Sequence, residues 1–183
     1  MQSFNNLKKE ILSVLKNSPL AFEVKHAQLV HKWVLELKPD ADEPLQIAAL
    51  AHDIDRAVTG ITEKDLKDFS KLNGFKKEHA QRSAKLISDI LKKHDYPDTI
   101  VDKVKFLVAN HEEGGDNESD VLRDADSLAF FEYNIPSYME RNSLDRTKEK
   151  MKFMFNRMSS KAKKKIKNID YKNIEIRKLV DRL

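Results

Sequence analysis

The stretch AALAHDIDRAV, residues 48–58, ends an apolar helical run with His52 and Asp53 side by side. Burying such a pair is costly unless a helix end, a hydrogen-bond network or a metal ion compensates for the lost water. The chain contains no cysteine, so a metal site in it must use imidazole and carboxylate ligands. These donors suit a divalent transition ion such as Mn, Fe, Co or Zn.

Four more residues of a suitable type lie on other predicted helices: His26, His79, His111 and Asp126. A single histidine on an apolar helix face is more often a hydrogen-bonded core residue than a ligand. The set is more informative, because five helices that each contribute a ligand can converge on one cleft. His31 and His94 are expected to be ordinary surface or capping residues.

Apolar residues recur at helical spacing through almost the whole chain. The low content of Gly and Pro, 4 and 5 residues, argues against an all-β protein. Thr62 and Asp65 predict a weak capping box for a short helix, and breaks are expected at TGIT, at Asn73-Gly74 and at the GGD turn. The sequence therefore predicts an all-α bundle, with helices over residues 4–17, 21–37, 43–56, 75–93, a segment opened by Pro97, 117–134 closed by Pro136, 143–158 and 170–182.

The order of these ligands resembles the signature of the HD-domain superfamily of metal-dependent phosphohydrolases, over about residues 22–132. The segments HAQRSA and NHEEGG are similar to those that hold extra histidines in its diiron members, which include diadenosine polyphosphate hydrolases. The resemblance implies an HD-type helical fold in which His26, His52, Asp53 and Asp126 bind one metal ion. It further implies that His79 and His111 bind a second ion and that Asp53 bridges the two. One or two divalent ions are therefore expected.

The choice between Asp124 and Asp126 does not follow from periodicity. In VLRDADSLAFF, helical geometry places both carboxylates about equally far from the centre of the apolar face. The resemblance favours Asp126, since members of the superfamily end the motif with an Asp just before an Arg- or Ser-Leu pair. Asp124 is then expected to support the site from behind or to be exposed.

Several cationic residues are candidates for binding a substrate phosphate. Arg56 follows His52-Asp53 by one turn, and its guanidinium could contact a phosphate; it is the predicted catalytic partner of Asp53. The alternative is that Arg56 only complements the helix dipole. Arg82, Lys85 and Arg123 lie near the predicted ligands and are weaker candidates. Asp55 could orient Arg56 or a metal-bound water, but a solvated face is the favoured prediction for it.

Charge divides the chain into two regions. Residues 141–183 carry 15 Lys and Arg against 5 Asp and Glu, whereas residues 1–140 carry 19 against 25. We expect a metal-binding helical domain over 1–140 and a basic helical extension, 141–183, packed on it. Met151, Phe153, Met154, Phe155 and Met158 favour this packing over the alternative, a surface for nucleic acid or an acidic partner.

The predicted function is hydrolysis of a phosphate ester or anhydride in a small, nucleotide-like substrate by a metal-activated water. No cysteine, Gly-x-Ser-x-Gly motif or phosphate-binding glycine loop supplies another nucleophile or phosphate cradle. The alternative enzyme is an HD-type diiron oxygenase, which the same six ligands would suit. No apolar run is long enough for a membrane span, so a cytoplasmic protein is expected.

Overall fold

The computed structural model describes residues 4–66 and 68–183, and these residues form an all-α fold with no strand. The predicted fold class is confirmed. The helices are α1 (Phe4–Leu15), α2 (Glu23–Leu37), α3 (Glu43–Ala51), α4 (Ile54–Thr59), α5 (Leu72–Lys93), α6 (Asp98–Ala109), α7 (Asn117–Ala129), α8 (Ile135–Arg141), α9 (Leu144–Asn156), α10 (Ser160–Ile166) and α11 (Ile174–Val180), with two short 3₁₀ turns at Glu63–Asp65 and Phe69–Lys71.

Helix α3 lies in the centre of the fold, where α1, α2, α6 and α7 all pack against it. Asp42 caps its first turn by accepting a hydrogen bond from the Leu45 amide, and Pro44 lies in that turn, as predicted. Residues 47–51 are completely buried, and three of the five are alanine. Small side chains let the surrounding helices approach the α3 backbone closely, so residues at the end of α3 face the helices around it.

Helix α3 ends earlier than predicted. The pattern predicted one helix over 43–56, but His52 and Asp53 form a turn, and α4 begins at Ile54. Asp53 has φ −106° and ψ 14°, outside the helical region. His52 and Asp55, on either side of this break, are both buried. Gly60, in the left-handed region at φ 71°, ends α4 within the predicted TGIT break.

Two predicted boundaries are wrong. Asn73-Gly74 does not break the chain, because α5 begins at Leu72 and contains both residues in its first turn. Pro136 does not close the seventh helix, because a π-helical turn, Phe130–Asn134, carries the chain on into α8. Pro136 lies in the first turn of α8, where its missing N–H costs no helical hydrogen bond.

The basic region packs on the same core as the rest of the chain. Met151, Met154 and Met158 are buried in the hydrophobic cluster that contains α2, α3 and α7, and Ile166 of α10 and Leu179 of α11 join it. The basic segment SSKAKKKIKN contains α10. Ser159 caps that helix by accepting a hydrogen bond from the Ala162 amide. No helix in the described part of the chain is long and apolar enough to cross a bilayer.

Candidate metal centre

The structure brings all six predicted ligands to one place beside the break between α3 and α4. They come from five places in the fold: His26 on α2, His52 and Asp53 at the α3–α4 break, His79 on α5, His111 after α6 and Asp126 on α7. The four imidazoles are at most 4% exposed. Their ring centroids are 5.3 Å apart for His26 and His52, 5.2 Å for His52 and His111, and 5.9 Å for His79 and His111.

The donors form two groups that share Asp53. His79 Nε2 and His111 Nε2 lie 2.8 and 3.8 Å from Asp53 Oδ1, whereas His52 Nε2 lies 3.5 Å from Asp53 Oδ2. The two carboxylate oxygens therefore face different groups of histidines. His26 completes the second group. One carboxylate placed in this way can bridge two cations, which a neutral imidazole cannot do.

Asp126 adjoins the group of His26 and His52. Its Oδ1 lies 3.1 Å from His26 Nε2 and 3.9 Å from His52 Nε2. Asp124 points elsewhere: it is buried, and it accepts hydrogen bonds from the amide and the hydroxyl of Ser159, the N-cap of α10. Asp124 is thus neither exposed nor next to the histidines, and it anchors the basic region to α7.

Every histidine of the cluster is oriented by a hydrogen bond from its outer ring nitrogen. His52 Nδ1 donates to the Ala49 carbonyl at 3.1 Å, and His111 Nδ1 donates to the Val108 carbonyl at 2.7 Å. The other two contacts come from side chains: His26 Nδ1 lies 3.1 Å from Asn134 Oδ1, and His79 Nδ1 lies 3.0 Å from Asp55 Oδ2. A ring that donates through Nδ1 presents the lone pair of Nε2, which is how proteins orient histidine ligands.

A buried nitrogen without a partner shows that a metal ion would fit here. His52 Nε2 has no hydrogen-bond partner, although it is enclosed by protein and faces the carboxylates of Asp53 and Asp126. Buried polar atoms are nearly always paired. A cation between His52 Nε2 and these carboxylates would satisfy all three groups, and imidazole–carboxylate donors suit the divalent ions of the first transition row.

The ionisation states differ between the histidines of the cluster. Burial lowers the pKa of His52 to about 4, and it lowers that of His111, so both rings are neutral. Although burial alone would lower the pKa values of His26 and His79, both are raised, because Asp126 faces His26, and Asp53 and Asp55 face His79. Burial alone would raise the pKa of Asp53 and Asp126, but Arg56 and Arg157 hold the two values well below the usual range. Metal binding requires neutral imidazoles and ionised carboxylates.

Two arginines compensate for the buried carboxylates. Arg56 donates from Nη1 to Asp53 Oδ2 and contacts Glu23 Oε1 at 3.4 Å. Arg157 donates from Nη2 to Asp126 Oδ2 and from Nη1 to Glu112 Oε2 at 3.0 Å. Both guanidiniums bind the Oδ2 atom of their aspartate. Asp53 Oδ2 therefore lies between Arg56 and His52, whereas Asp53 Oδ1 faces only imidazoles.

The remaining predicted phosphate contacts are placed differently. The prediction that Asp55 lies on a solvated face is wrong, because this residue is fully buried and bonded to His79. Arg82 donates to Asp55 from Nε to Oδ1 and from Nη2 to Oδ2, both at 2.9 Å. Arg82 therefore orients His79 through Asp55. Lys85 is exposed and pairs with Asp89, and Arg123 contacts Asp120 and the Glu113 carbonyl, so neither lies at the cluster.

A cavity of about 280 Å³ opens beside the cluster. Its walls include Lys76, Glu112 and Arg157. Lys76 and Arg157 were not predicted to lie at the site. Lys76 lies three residues before His79, one helical turn from a predicted ligand, and this spacing is a signal that could have found it. His31, which pairs with Gln46, and His94, which pairs with Glu10, bond outside the cluster, as expected.

The sequence profile of one protein family, described as a domain of unknown function (DUF4202), matches residues 5–180. The match covers α1 to α11 almost completely, including every residue of the cluster. The chain belongs to this family. No curated protein and no solved structure matches it. The DUF4202 domain therefore includes the basic region together with the helices that carry the histidines.

The two donor groups in this DUF4202 domain lead to a stoichiometry prediction. His79→Ala and His111→Ala each remove a nitrogen that faces Asp53 Oδ1 and leave His26, His52 and Asp126 in place. We expect metal content to fall from two equivalents to near one in either variant. Elemental analysis of protein purified without chelator measures this ratio, with His31→Ala as the control. Two equivalents in both variants would show that these rings are not ligands.

Proposed function

We propose that this protein is a metal-dependent phosphohydrolase of the HD type, acting on a small phosphorylated substrate. The observation that supports this most directly is the position of Asp53: its Oδ1 faces His79 and His111, its Oδ2 faces His52, and His26 completes the second group. The order of the ligands along the chain agrees with the HD signature. A cavity with several cationic walls opens at the same point, and such a cavity suits an anionic substrate.

In the proposed centre, His26, His52, Asp53 and Asp126 would hold one divalent ion, and Asp53, His79 and His111 would hold the other. When bound, such ions polarise a phosphoryl oxygen and lower the pKa of a water molecule so that it becomes a nucleophile near neutral pH. Mn, Fe or Co should support activity better than Mg, because Mg prefers oxygen ligands and retained water.

The chain's own residues supply binding and charge stabilisation. Arg56 lines the cavity directly beside Asp53, and Glu23 holds the guanidinium from the other side. Arg157 occupies the equivalent position beside Asp126. Two guanidiniums at the two ligand carboxylates can donate to the non-bridging oxygens of a phosphoryl group and stabilise the charge that develops during displacement.

Glu112 gives this arrangement its rigidity. Its Oε2 accepts from Lys76 at 2.9 Å and from Arg157 at 3.0 Å. Although burial alone would raise the pKa of Glu112, Lys76 and the neighbouring His111 and Arg157 lower it, so the carboxylate stays ionised. The acidic residue beside the cluster therefore fixes two cations in place and does not act as a free negative charge toward the substrate.

The proposal is tested by phosphate release from a substrate panel. The protein is loaded with Mn, Fe or Co and assayed against nucleoside mono-, di- and triphosphates, dinucleoside polyphosphates and cyclic dinucleotides. We expect hydrolysis of at least one class, with weaker support by Mg. A fully metallated protein that hydrolyses none of them would contradict the proposal. Oxygen consumption with an organophosphonate or polyol, by the same metallated protein, would assign it to the diiron oxygenases instead.

A further inference from the structure

Arg56 lies between two buried carboxylates, one of which belongs to a proposed metal ligand. Its Nη1 donates to Asp53 Oδ2 and lies 3.4 Å from Glu23 Oε1. The contact with Asp53 is the closer of the two. Both carboxylates are enclosed by protein, since Glu23 is 1% and Asp53 6% exposed. One guanidinium nitrogen therefore serves two acceptors and favours Asp53.

Glu23 is only partly paired by this contact. Its Oε2 is buried and has no hydrogen-bond partner in the part of the chain that the structure describes, although buried polar atoms nearly always have one. Burial raises the pKa of Glu23 to about 7, because Arg56 at this distance offsets the loss of water only in part. An unfilled acceptor therefore lies beside the guanidinium, in the first turn of α2.

The oxygen that Arg56 binds is also one that the proposed metal centre needs. Asp53 Oδ2 is the oxygen that faces His52, with 3.5 Å between Oδ2 and Nε2. A divalent cation bound to Oδ2 would lie directly beside the guanidinium, and like charges that are buried so close together repel each other strongly. Arg56 should therefore leave Oδ2 when such an ion binds.

Arg157, at the other ligand carboxylate, meets no such conflict. It donates from Nη2 to Asp126 Oδ2, whereas the imidazoles lie next to Asp126 Oδ1. Its second nitrogen, Nη1, already contacts Glu112 Oε2 at 3.0 Å. Arg157 can thus keep both partners when a cation binds to Oδ1. Of the two arginines, Arg56 is the one that needs another acceptor.

We propose that Glu23 is a positioning residue that receives Arg56 from Asp53 when a metal ion binds. The unpaired Oε2 and the Oε1 already in contact would then accept two hydrogen bonds from one guanidinium, an arrangement that adds both strength and geometric specificity. Arg56 lines the cavity, so its side chain can shift without disturbing the core. The inference rests on the proposed function, which supplies the metal ion, and it makes the affinity for that ion depend on a residue outside the ligand set.

Calorimetric titration of chelator-treated protein with Mn²⁺ tests this dependence. Glu23→Gln removes the anionic acceptor and should weaken one of the two binding events about tenfold, as expected for the loss of one charge-assisted hydrogen bond. The other event, at His79 and His111, should keep its affinity. The control Glu36→Gln makes the same change further along α2, at a carboxylate that pairs with Lys32 on the surface, and should alter neither event.

A double-mutant cycle separates this role from support of the fold. Once Arg56 is replaced, no guanidinium has to leave Asp53, so Glu23→Gln in the Arg56→Gln background should not change the affinity for Mn²⁺. A Glu23 that only stabilised α2 would lower this affinity by the same factor in both backgrounds, and that result would overturn the inference. Unchanged affinity in the single variant Glu23→Gln would overturn it as well.

A crystal structure of the unmodified protein loaded with Mn²⁺ gives a test that needs no variant. We expect both carboxylate oxygens of Glu23 within hydrogen-bond distance of the Arg56 guanidinium, and Asp53 Oδ2 no longer bonded to it. A loaded centre in which Arg56 still donates to Asp53 Oδ2 would contradict the transfer.

These outcomes are distinct from those that test the proposed function. A cycle and a loaded structure that behave as expected, in a protein that hydrolyses no phosphate compound, would support the role of Glu23 and contradict the phosphohydrolase. Metal-dependent hydrolysis, together with equal Mn²⁺ affinity of the unmodified protein and Glu23→Gln, would support the phosphohydrolase and contradict the role of Glu23.

Discussion

Asp53→Asn is expected to remove most of both metal ions and to abolish phosphate release. The substitution keeps the size of the side chain but removes the charge that faces both groups of histidines through Oδ1 and Oδ2. An amide offers one neutral oxygen and cannot bridge two cations. We expect metal content below one equivalent and a loss of turnover of at least about a thousandfold, as for other losses of preorganised charge. Elemental analysis and the phosphate-release assay measure the two effects.

The control for this substitution is Asp89→Asn. It makes the same chemical change at an exposed residue that pairs with Lys85 on the surface of α5, and it should keep both the metal and the activity. Circular dichroism establishes that each variant is folded. Phosphate release that persists unchanged in folded Asp53→Asn would come from a contaminant or from another site, and full metal content in it would contradict the bridging role.

The positions of the histidines were predictable because apolar periodicity fixes which side of a helix faces the core. His79 occupies the same side of α5 as Ile87 and Leu91, and His111 ends the helix whose buried side carries Val104 and Val108. The local pattern could therefore predict that each imidazole faces the core. It could not predict that the four imidazoles lie next to one another, because their contacts join residues far apart in the sequence.

The choice between Asp126 and Asp124 is one that helical periodicity cannot make. Both carboxylates lie at the margins of the apolar side of α7, about equally far from its centre. The structure separates them through their neighbours: His26 of α2 meets Asp126, and Ser159 before α10 meets Asp124. The packing of α2 and of the segment before α10 against α7 therefore determines which of the two aspartates joins the histidine cluster.

The wrong prediction for Asp55 came from its residue type and not from its position. Asp55 follows Ala51 by four residues, so even a continuous helix over 43–56 would place it on a buried side. A carboxylate is buried only when it has partners, and those of Asp55 are His79 and Arg82 of α5. Both partners lie more than 20 residues away along the chain, so local pattern could not identify them.

Arg157 shows what charge composition alone did not predict about the basic region. Residues 141–183 were predicted to pack on the helical domain, and Arg157 in addition reaches Asp126, Glu112 and the Ser127 hydroxyl. A signal for this existed in the sequence: Arg157 lies between Met154 and Met158, at the edge of the stripe predicted to pack on the body. A buried cation beside such a stripe requires an anionic partner.

Removal of the metal is expected to lower the thermal midpoint of unfolding without unfolding the protein at room temperature. Arg56 and Arg157 already compensate Asp53 and Asp126, so the metal-free fold has no isolated buried carboxylate in the cluster. The partnerless His52 Nε2 and the crowded imidazoles remain, and a bound cation relieves both. At ion concentrations about a thousand times Kd, binding stabilises the native state by about 4 kcal/mol. A chain of this length then loses roughly 10 °C on chelation.

Differential scanning calorimetry before and after EDTA treatment measures this shift, and re-addition of Mn²⁺ should restore it. Asp53→Asn separates the contribution of the centre from general effects of the chelator, because a protein that no longer holds the ions has nothing to lose to EDTA. Its midpoint should therefore stay constant. A midpoint that is insensitive to EDTA in the unmodified protein, or that falls equally in Asp53→Asn, would show that the cluster is a polar core held by its two arginines. In that case Arg56 and Arg157 would serve mainly to support the fold. A midpoint that depends on the metal would instead indicate that these two arginines, which also line the cavity, remain available to a substrate.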